Sequence, residues 1–60
     1  MTDGATRRIE LMNRLKQEKR PLSGTELAKE FGVSRQVIVQ DIALLRATNR
    51  NILSTNKGYV

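Results

Sequence analysis

Residues 22–46 read LSGTELAKEFGVSRQVIVQDIALLR, and two helix starts stand inside this stretch. Ser23 opens the first. With Glu26 it forms a capping box, the serine hydroxyl accepting from the Glu26 N–H while the Glu26 carboxylate reaches back. Leu22 and Leu27 flank the box as a hydrophobic staple, and Leu27, Ala28 and Phe31 supply a buried stripe. Gly32 ends this short helix, where a left-handed residue without a Cβ costs little. Ser34 caps another helix at once, with Val33 and Ile38 as its staple. This helix runs to about Thr48, and Asn49 suits a left-handed terminator. Helix, glycine turn and helix together make a helix-turn-helix.

The second helix is apolar at Val37, Ile38, Val39 and Ile42, more positions than one buried stripe needs. At about 100° per residue, Ile38, Ile42 and Leu45 form the stripe that faces the core with Phe31 and Leu15. Val37, Asp41, Leu44 and Thr48 lie on one flank, where Leu44 is expected to pack against the helix upstream of the motif or the wing that follows it. Arg35, Gln36, Val39, Gln40, Ala43 and Arg46 are left facing outward. Those residue types read base edges: Gln pairs with adenine, Arg with guanine, and a small apolar side chain touches the thymine methyl. Val39 makes sense outside the core on that reading. The bland alternative is an exposed valine, or one that packs on another domain.

The geometry of the motif assigns roles. The N-terminal end of the first helix lies near a phosphate, which places Thr25 and the Gly24 N–H there. The N-terminal half of the second enters the major groove, with Ser34 and Arg35 holding phosphates and Gln36, Val39 and Gln40 meeting bases. Ser34 keeps its capping role alongside, and Thr25 has the plain alternative of a solvent-facing helix residue.

Upstream, Ile9, Met12 and Leu15, with Leu11 beside them, recur at helical spacing to about Lys19 before Pro21 stops the helix. Asp3 and Thr6 both qualify as its cap, and the first six residues are expected to fray. Downstream, 52–55 reads as a strand, Asn56-Lys57-Gly58 as a tight turn and Tyr59-Val60 as a returning strand. This hairpin is a wing, with Lys57 at its tip for a phosphate or the minor groove, or simply as a polar turn residue. The fold expected is mainly α with a small β-wing: three helices plus a β-hairpin, a winged helix-turn-helix. The whole of 1–60 is one domain, expected to be an N-terminal piece of a longer protein because the chain stops in mid-strand.

Composition agrees. Sixty residues with no Cys and no His hold a small core and exclude a disulfide framework, a zinc knuckle and His-dependent catalysis. There is no phosphate-binding glycine loop and no enclosed carboxylate pair, so no enzyme is expected. The longest apolar run is Ile42-Ala43-Leu44-Leu45, and MTDGATRRIE lacks the apolar stretch of a signal peptide. No membrane partner and a cytoplasmic location are expected. Eleven Lys/Arg against six Asp/Glu leave a formal charge of +5, which favours a polyanionic partner. From Ser34 onward Arg35, Arg46, Arg50 and Lys57 stand against Asp41 alone. Asp41 is expected to neutralise a neighbour such as Arg35 or Arg46, or to make a structural hydrogen bond. Glu30 reads as helix solvation.

PLSGTELAKEFGVSRQVIVQDIALLR followed by ILSTNKGYV closely resembles the N-terminal winged-helix domain of niacin-responsive transcriptional repressors. The resemblance covers about Arg7 to Val60. Its most specific elements are SGTELA, VSRQVIVQDI-LLR and the end from Thr55 to Tyr59. The DNA-binding head of biotin ligase-repressors shares the SG-x-x-LA and VSR patterns, but VSRQVIVQDI favours the niacin type. The resemblance implies a dimeric repressor of NAD-precursor genes that binds double-stranded DNA, with dimer contacts outside this chain. It also implies a C-terminal effector domain that takes nicotinic acid and a divalent metal on histidines. Thr48-Asn49-Arg50-Asn51 departs from relatives that often carry a glycine and an apolar or aromatic residue. Arg50 there either weakens the wing root or adds a phosphate contact. A winged helix that docks a protein through its outward apolar residues is the competing reading, since fold does not imply function.

Overall fold

The computed structural model describes residues 3–48 and 51–60. Helices α1 (Gly4–Gln17), α2 (Gly24–Phe31) and α3 (Arg35–Ala47) are followed by strands β1 (Ser54–Thr55) and β2 (Gly58–Tyr59). The three helices and the antiparallel hairpin are the architecture expected of a winged helix-turn-helix. The terminator role of Asn49 and the role of Arg50 lie outside the described residues.

Asp3 is the cap of α1: its Oδ1 accepts from the Thr6 N–H at 2.8 Å. That backbone hydrogen bond holds the Asp3 carboxyl below the usual carboxylate range. The helix therefore starts at Gly4, inside the segment expected to fray. It ends at Gln17, short of Lys19, with Glu18 already extended. Pro21 keeps only Arg20 out of the helical region, and the helix has ended before reaching it.

Ile9 does not belong to the core: it is 65% exposed, while Leu11 is fully buried and Leu15 nearly so. Ile9 stands about 200° around the helix from Leu11, so one face cannot hold both. Packing against α3 selects the Leu11–Leu15 pair, with Met12 half-buried at its edge.

The two serine caps are in place. Ser23 Oγ accepts from the Glu26 N–H at 3.0 Å and the Glu26 carboxylate takes the Ser23 N–H at 3.5 Å. Ser34 Oγ accepts from the Val37 N–H at 3.2 Å. Gly32, at φ 66°, ends α2 in the left-handed region. The core comprises Leu11, Leu15, Leu22, Leu27, Ala28, Ile38, Ile42, Leu45 and Ile52, with Phe31, Val33 and Tyr59 partly buried against it.

Of two flank residues of α3, Leu44 departs from expectation, while Asp41 makes the structural hydrogen bond that was one of its expected alternatives. Leu44 is 46% exposed and does not seal against α1 or the wing. Asp41 is 2% exposed, and its partners are neither Arg35 nor Arg46. Arg7 of α1 donates Nε to Oδ2 at 2.5 Å and NH2 to Oδ1 at 3.0 Å, and Arg8 NH1 lies 3.5 Å from Oδ1. A buried charge is tolerated only when paired in this way, and the pairing ties α1 to the middle of α3.

The wing is shorter in regular strand than 52–55 and 59–60. Ile52 turns into the core at 5% exposure instead of extending the strand. Ser54 pairs with Tyr59 and Thr55 with Gly58, and Leu53 and Val60 exchange two further backbone hydrogen bonds at 3.2 and 3.1 Å. The second edge of β2 is occupied as well. Tyr59 exchanges backbone hydrogen bonds of 2.8 and 2.9 Å with Leu22, so the wing is anchored to the segment that leads into α2. Gly58 makes this approach feasible: a Cβ there would sit 2.5 Å from the Leu22 carbonyl carbon and oxygen, and its φ is 138°.

Candidate nucleic-acid interface

The face of α3 expected to point outward does so at most positions. Arg35, Gln36, Gln40 and Ala43 are exposed, as is the cap Ser34. Val39 is half-buried, so only part of its side chain is available to a partner. Ser34 caps this end of the helix, where the first-turn N–H groups and the positive end of the helix dipole lie.

A cleft runs between the start of α2 and the wing. Ser23, Gly24, Thr25 and Arg35 line one side, and Ser54 to Tyr59 line the other. Three residues singled out from the sequence, Thr25, Arg35 and Lys57, therefore meet around one opening although they lie on three elements. From the sequence, Gly24 is expected to act only through its backbone N–H, and Tyr59 carries no site role. A Cβ on Gly24 would lie 3.4 Å from Arg35 Cγ, 3.5 Å from its Nε and 3.8 Å from Tyr59 Cε2. Arg35 and the Tyr59 ring thus lie within van der Waals reach of the start of α2. The capping box alone carries no sign of this, because the contact joins residues eleven apart through the turn.

The wing tip is ordered by one hydroxyl. Thr55 Oγ1 accepts from the Lys57 N–H at 3.1 Å and donates to the Gly58 carbonyl at 2.8 Å. Lys57 is thus held at the rim of the cleft with its side chain exposed.

Charge is distributed unevenly over the described residues. Asp41 is taken up by Arg7 and Arg8. Arg14 bridges Glu18 at 3.3 Å and Glu30 at 2.8 Å, so Glu30 links α2 to α1 and is more than a solvated helix residue. Arg20 pairs with Glu26 at 2.9 Å. Hydrogen bonds to these carboxylates raise the pKa of Arg7, Arg14 and Arg20 above the ordinary arginine value. The Arg20 contact, with help from the Ser23 backbone, holds Glu26 below the usual carboxylate range. Among the described residues, Arg35 and Lys57 meet no carboxylate. The acidic groups neutralise α1 and its connection to α2, and the cleft keeps its positive charge.

Arg46 is placed apart from Arg35. Its guanidinium donates Nε to the Ile52 carbonyl at 3.1 Å and NH2 to Ser54 Oγ at 2.5 Å, which turns it toward the wing root. Among the described residues no helix is long and apolar enough to cross a membrane, and no three metal-ligating side chains converge.

A family model described as "HTH domain" matches residues 7–60. The chain is 60% identical over 57 residues to a transcription repressor, NadR, of Bacillus subtilis (strain 168), an alignment covering 95% of this chain and 32% of the repressor. It is 59% identical over 46 residues to a probable transcription repressor, NiaR, of Thermotoga maritima, covering 77% of this chain and 26% of that protein. The chain thus spans about a third or less of the length of the curated relatives it matches.

Proposed function

The chain belongs to the HTH domain family, and from that premise we propose that it is the double-stranded-DNA-binding domain of a transcriptional repressor of NAD-precursor (niacin) genes. The relatives' names support the repressor role, and the resemblance of VSRQVIVQDI to niacin-responsive repressors supports the gene class. The observation that carries the DNA reading is the segregation of charge: every carboxylate near the motif is paired on the side of α1 or inside the α2 cap, while Arg35 and Lys57 flank an open cleft.

In this reading α3 enters the major groove by its N-terminal half. Gln36 and Gln40 meet base edges, with the exposed part of Val39 against a thymine methyl. Ser34, Arg35 and the start of α2 at Gly24 and Thr25 hold one phosphate run, and Lys57 reaches a second from the wing. The domain acts in the cytoplasm without catalysing a reaction. The full-length protein pairs two copies to span half-sites about 34 Å apart, through chain beyond these residues.

The nicotinic acid and divalent metal that the resemblance implies do not fit this chain. It has no His or Cys, and among the described residues no cluster of three or more metal-ligating side chains forms. Effector sensing is assigned to further chain, and no step of DNA binding here runs through it.

One observation favours a second reading, a protein-docking winged helix: Ile9, Leu44 and Leu53 are apolar and exposed at 65%, 46% and 65%. Titration of isotope-labelled protein with a short random duplex, at low and moderate salt, separates the two. DNA binding predicts amide shifts at Thr25, Ser34 to Gln40 and Lys57 that weaken as salt rises. Absence of those shifts at low salt would hand the surface to a protein partner.

A further inference from the structure

A hairpin with two-residue strands is marginal by itself, so the position of this wing depends on what holds its two edges. The β2 edge is held by the Leu22–Tyr59 backbone pair. The β1 edge is held by a side chain. Arg46, in the last turn of α3, places Nε on the carbonyl of buried Ile52 and NH2 on the Ser54 hydroxyl. One planar fork therefore grips the chain on both sides of Leu53.

We propose that Arg46 is a positioning residue for DNA binding: it clamps β1 to the end of the recognition helix and so sets where Lys57 meets the duplex relative to Arg35. The proposal deepens the DNA reading above and rests on it. Both acceptors of the Arg46 fork are neutral, so its charge still adds to the positive surface. Its donors, however, are directed at the wing and not at a phosphate. The rigid fork is the essential feature. A lysine at the same position keeps the charge but offers a single compact ammonium on a flexible stem, which does not reproduce two parallel donors.

The test uses the 60-residue chain, a short random duplex, and the variants Arg46→Lys, Ser54→Ala, Lys57→Ala and the Arg46→Lys/Lys57→Ala double. A positioning role predicts that Arg46→Lys, with unchanged net charge, loses several-fold in affinity, comparable to Lys57→Ala. The double variant then binds no more weakly than Arg46→Lys alone, because a displaced Lys57 has nothing left to lose. In the free protein, Arg46→Lys shifts the amides of residues 53–59 while those of α2 stay in place, and Ser54→Ala shifts the same set less.

Wild-type affinity for Arg46→Lys, with the full Lys57→Ala loss added on top, would make Arg46 a plain charge and overturn the proposal. Unmoved wing amides in free Arg46→Lys would overturn it too. Should the wild-type chain fail to bind duplex at all, the DNA reading falls. The wing amides of the free variants then still decide whether the clamp exists.

Discussion

Arg7 of α1 closes over the buried Asp41 carboxylate of α3 with two hydrogen bonds, across 34 positions of sequence. The contact joins α1 to the residue next to Gln40 on the helix proposed to enter the groove. Removing Asp41 takes away the shared counter-charge of Arg7 and Arg8, whose side chains keep 17% and 30% exposure. Asp41→Ala is expected to destabilise the domain, by less than breaking a fully buried pair costs because the stranded guanidinium groups reach water, as read by urea denaturation. Replacing both partners, Arg7→Met with Asp41→Leu, is expected to recover much of that loss. A double variant no more stable than Asp41→Ala would show that the pair itself, and not the stranded charge, carries the stability.

Two glycines in the left-handed region should respond differently to alanine. At Gly58 the new Cβ meets backbone atoms of Leu22 at 2.5 Å and of Ser23 at 2.8 Å, which have no room to yield. At Gly32 nothing lies within 4 Å, and only the φ of +66° is unfavourable. Gly32→Ala is expected to cost about 1 kcal/mol. Gly58→Ala should cost more and should release the Tyr59–Leu22 hydrogen bonds, seen as faster amide exchange at Leu22 and Tyr59. Equal costs with Leu22 still protected would refute the anchoring of the wing at that point.

Acid should loosen the start of α2. The Glu26 carboxylate is depressed by Arg20 first and by the Ser23 backbone second. A carboxylate whose folded pKa is lowered contributes stability that is present above its unfolded value, about 4.3. That stability is lost as pH falls through the lower folded value. Stability should therefore drop below about pH 4.3, and Glu26→Gln should flatten part of this slope while keeping a side chain that can still cap. The Arg20–Glu26 contact is exposed, at 58% and 44%, so added salt should shrink the effect. An identical acid slope in Glu26→Gln would assign the loss to Asp3 or to other carboxylates.

DNA binding should separate into reading and holding. Gln40→Ala is expected to weaken binding to the cognate operator by roughly 1–3 kcal/mol while sparing random duplex. Arg35→Ala should weaken both and make the salt dependence shallower, because one phosphate contact fewer releases fewer counterions. Salt-titrated anisotropy with the two duplexes measures both effects. Equal loss on both duplexes for Gln40→Ala, or an unchanged slope for Arg35→Ala, would reassign the residue.

The sequence alone determined the parts of this protein that rest on neighbours within one helical turn. The Ser23 and Ser34 caps and the left-handed stop at Gly32 are local signals. The stripe of Ile38, Ile42 and Leu45 follows from helical spacing, and each stands as read. So does the exposed run Arg35, Gln36 and Gln40, because it is what remains once that stripe is buried. What joins distant segments was decided only in three dimensions. Helical spacing allowed α1 several buried faces, and packing on α3 chose Leu11 and Leu15 over Ile9. Asp41 found Arg7, Glu30 found Arg14, and Arg46 turned to Ile52 and Ser54. Tyr59 paired with Leu22 across the whole motif. A charged or hydrogen-bonding side chain has many suitable partners in a chain this basic, and only the folded distances select among them.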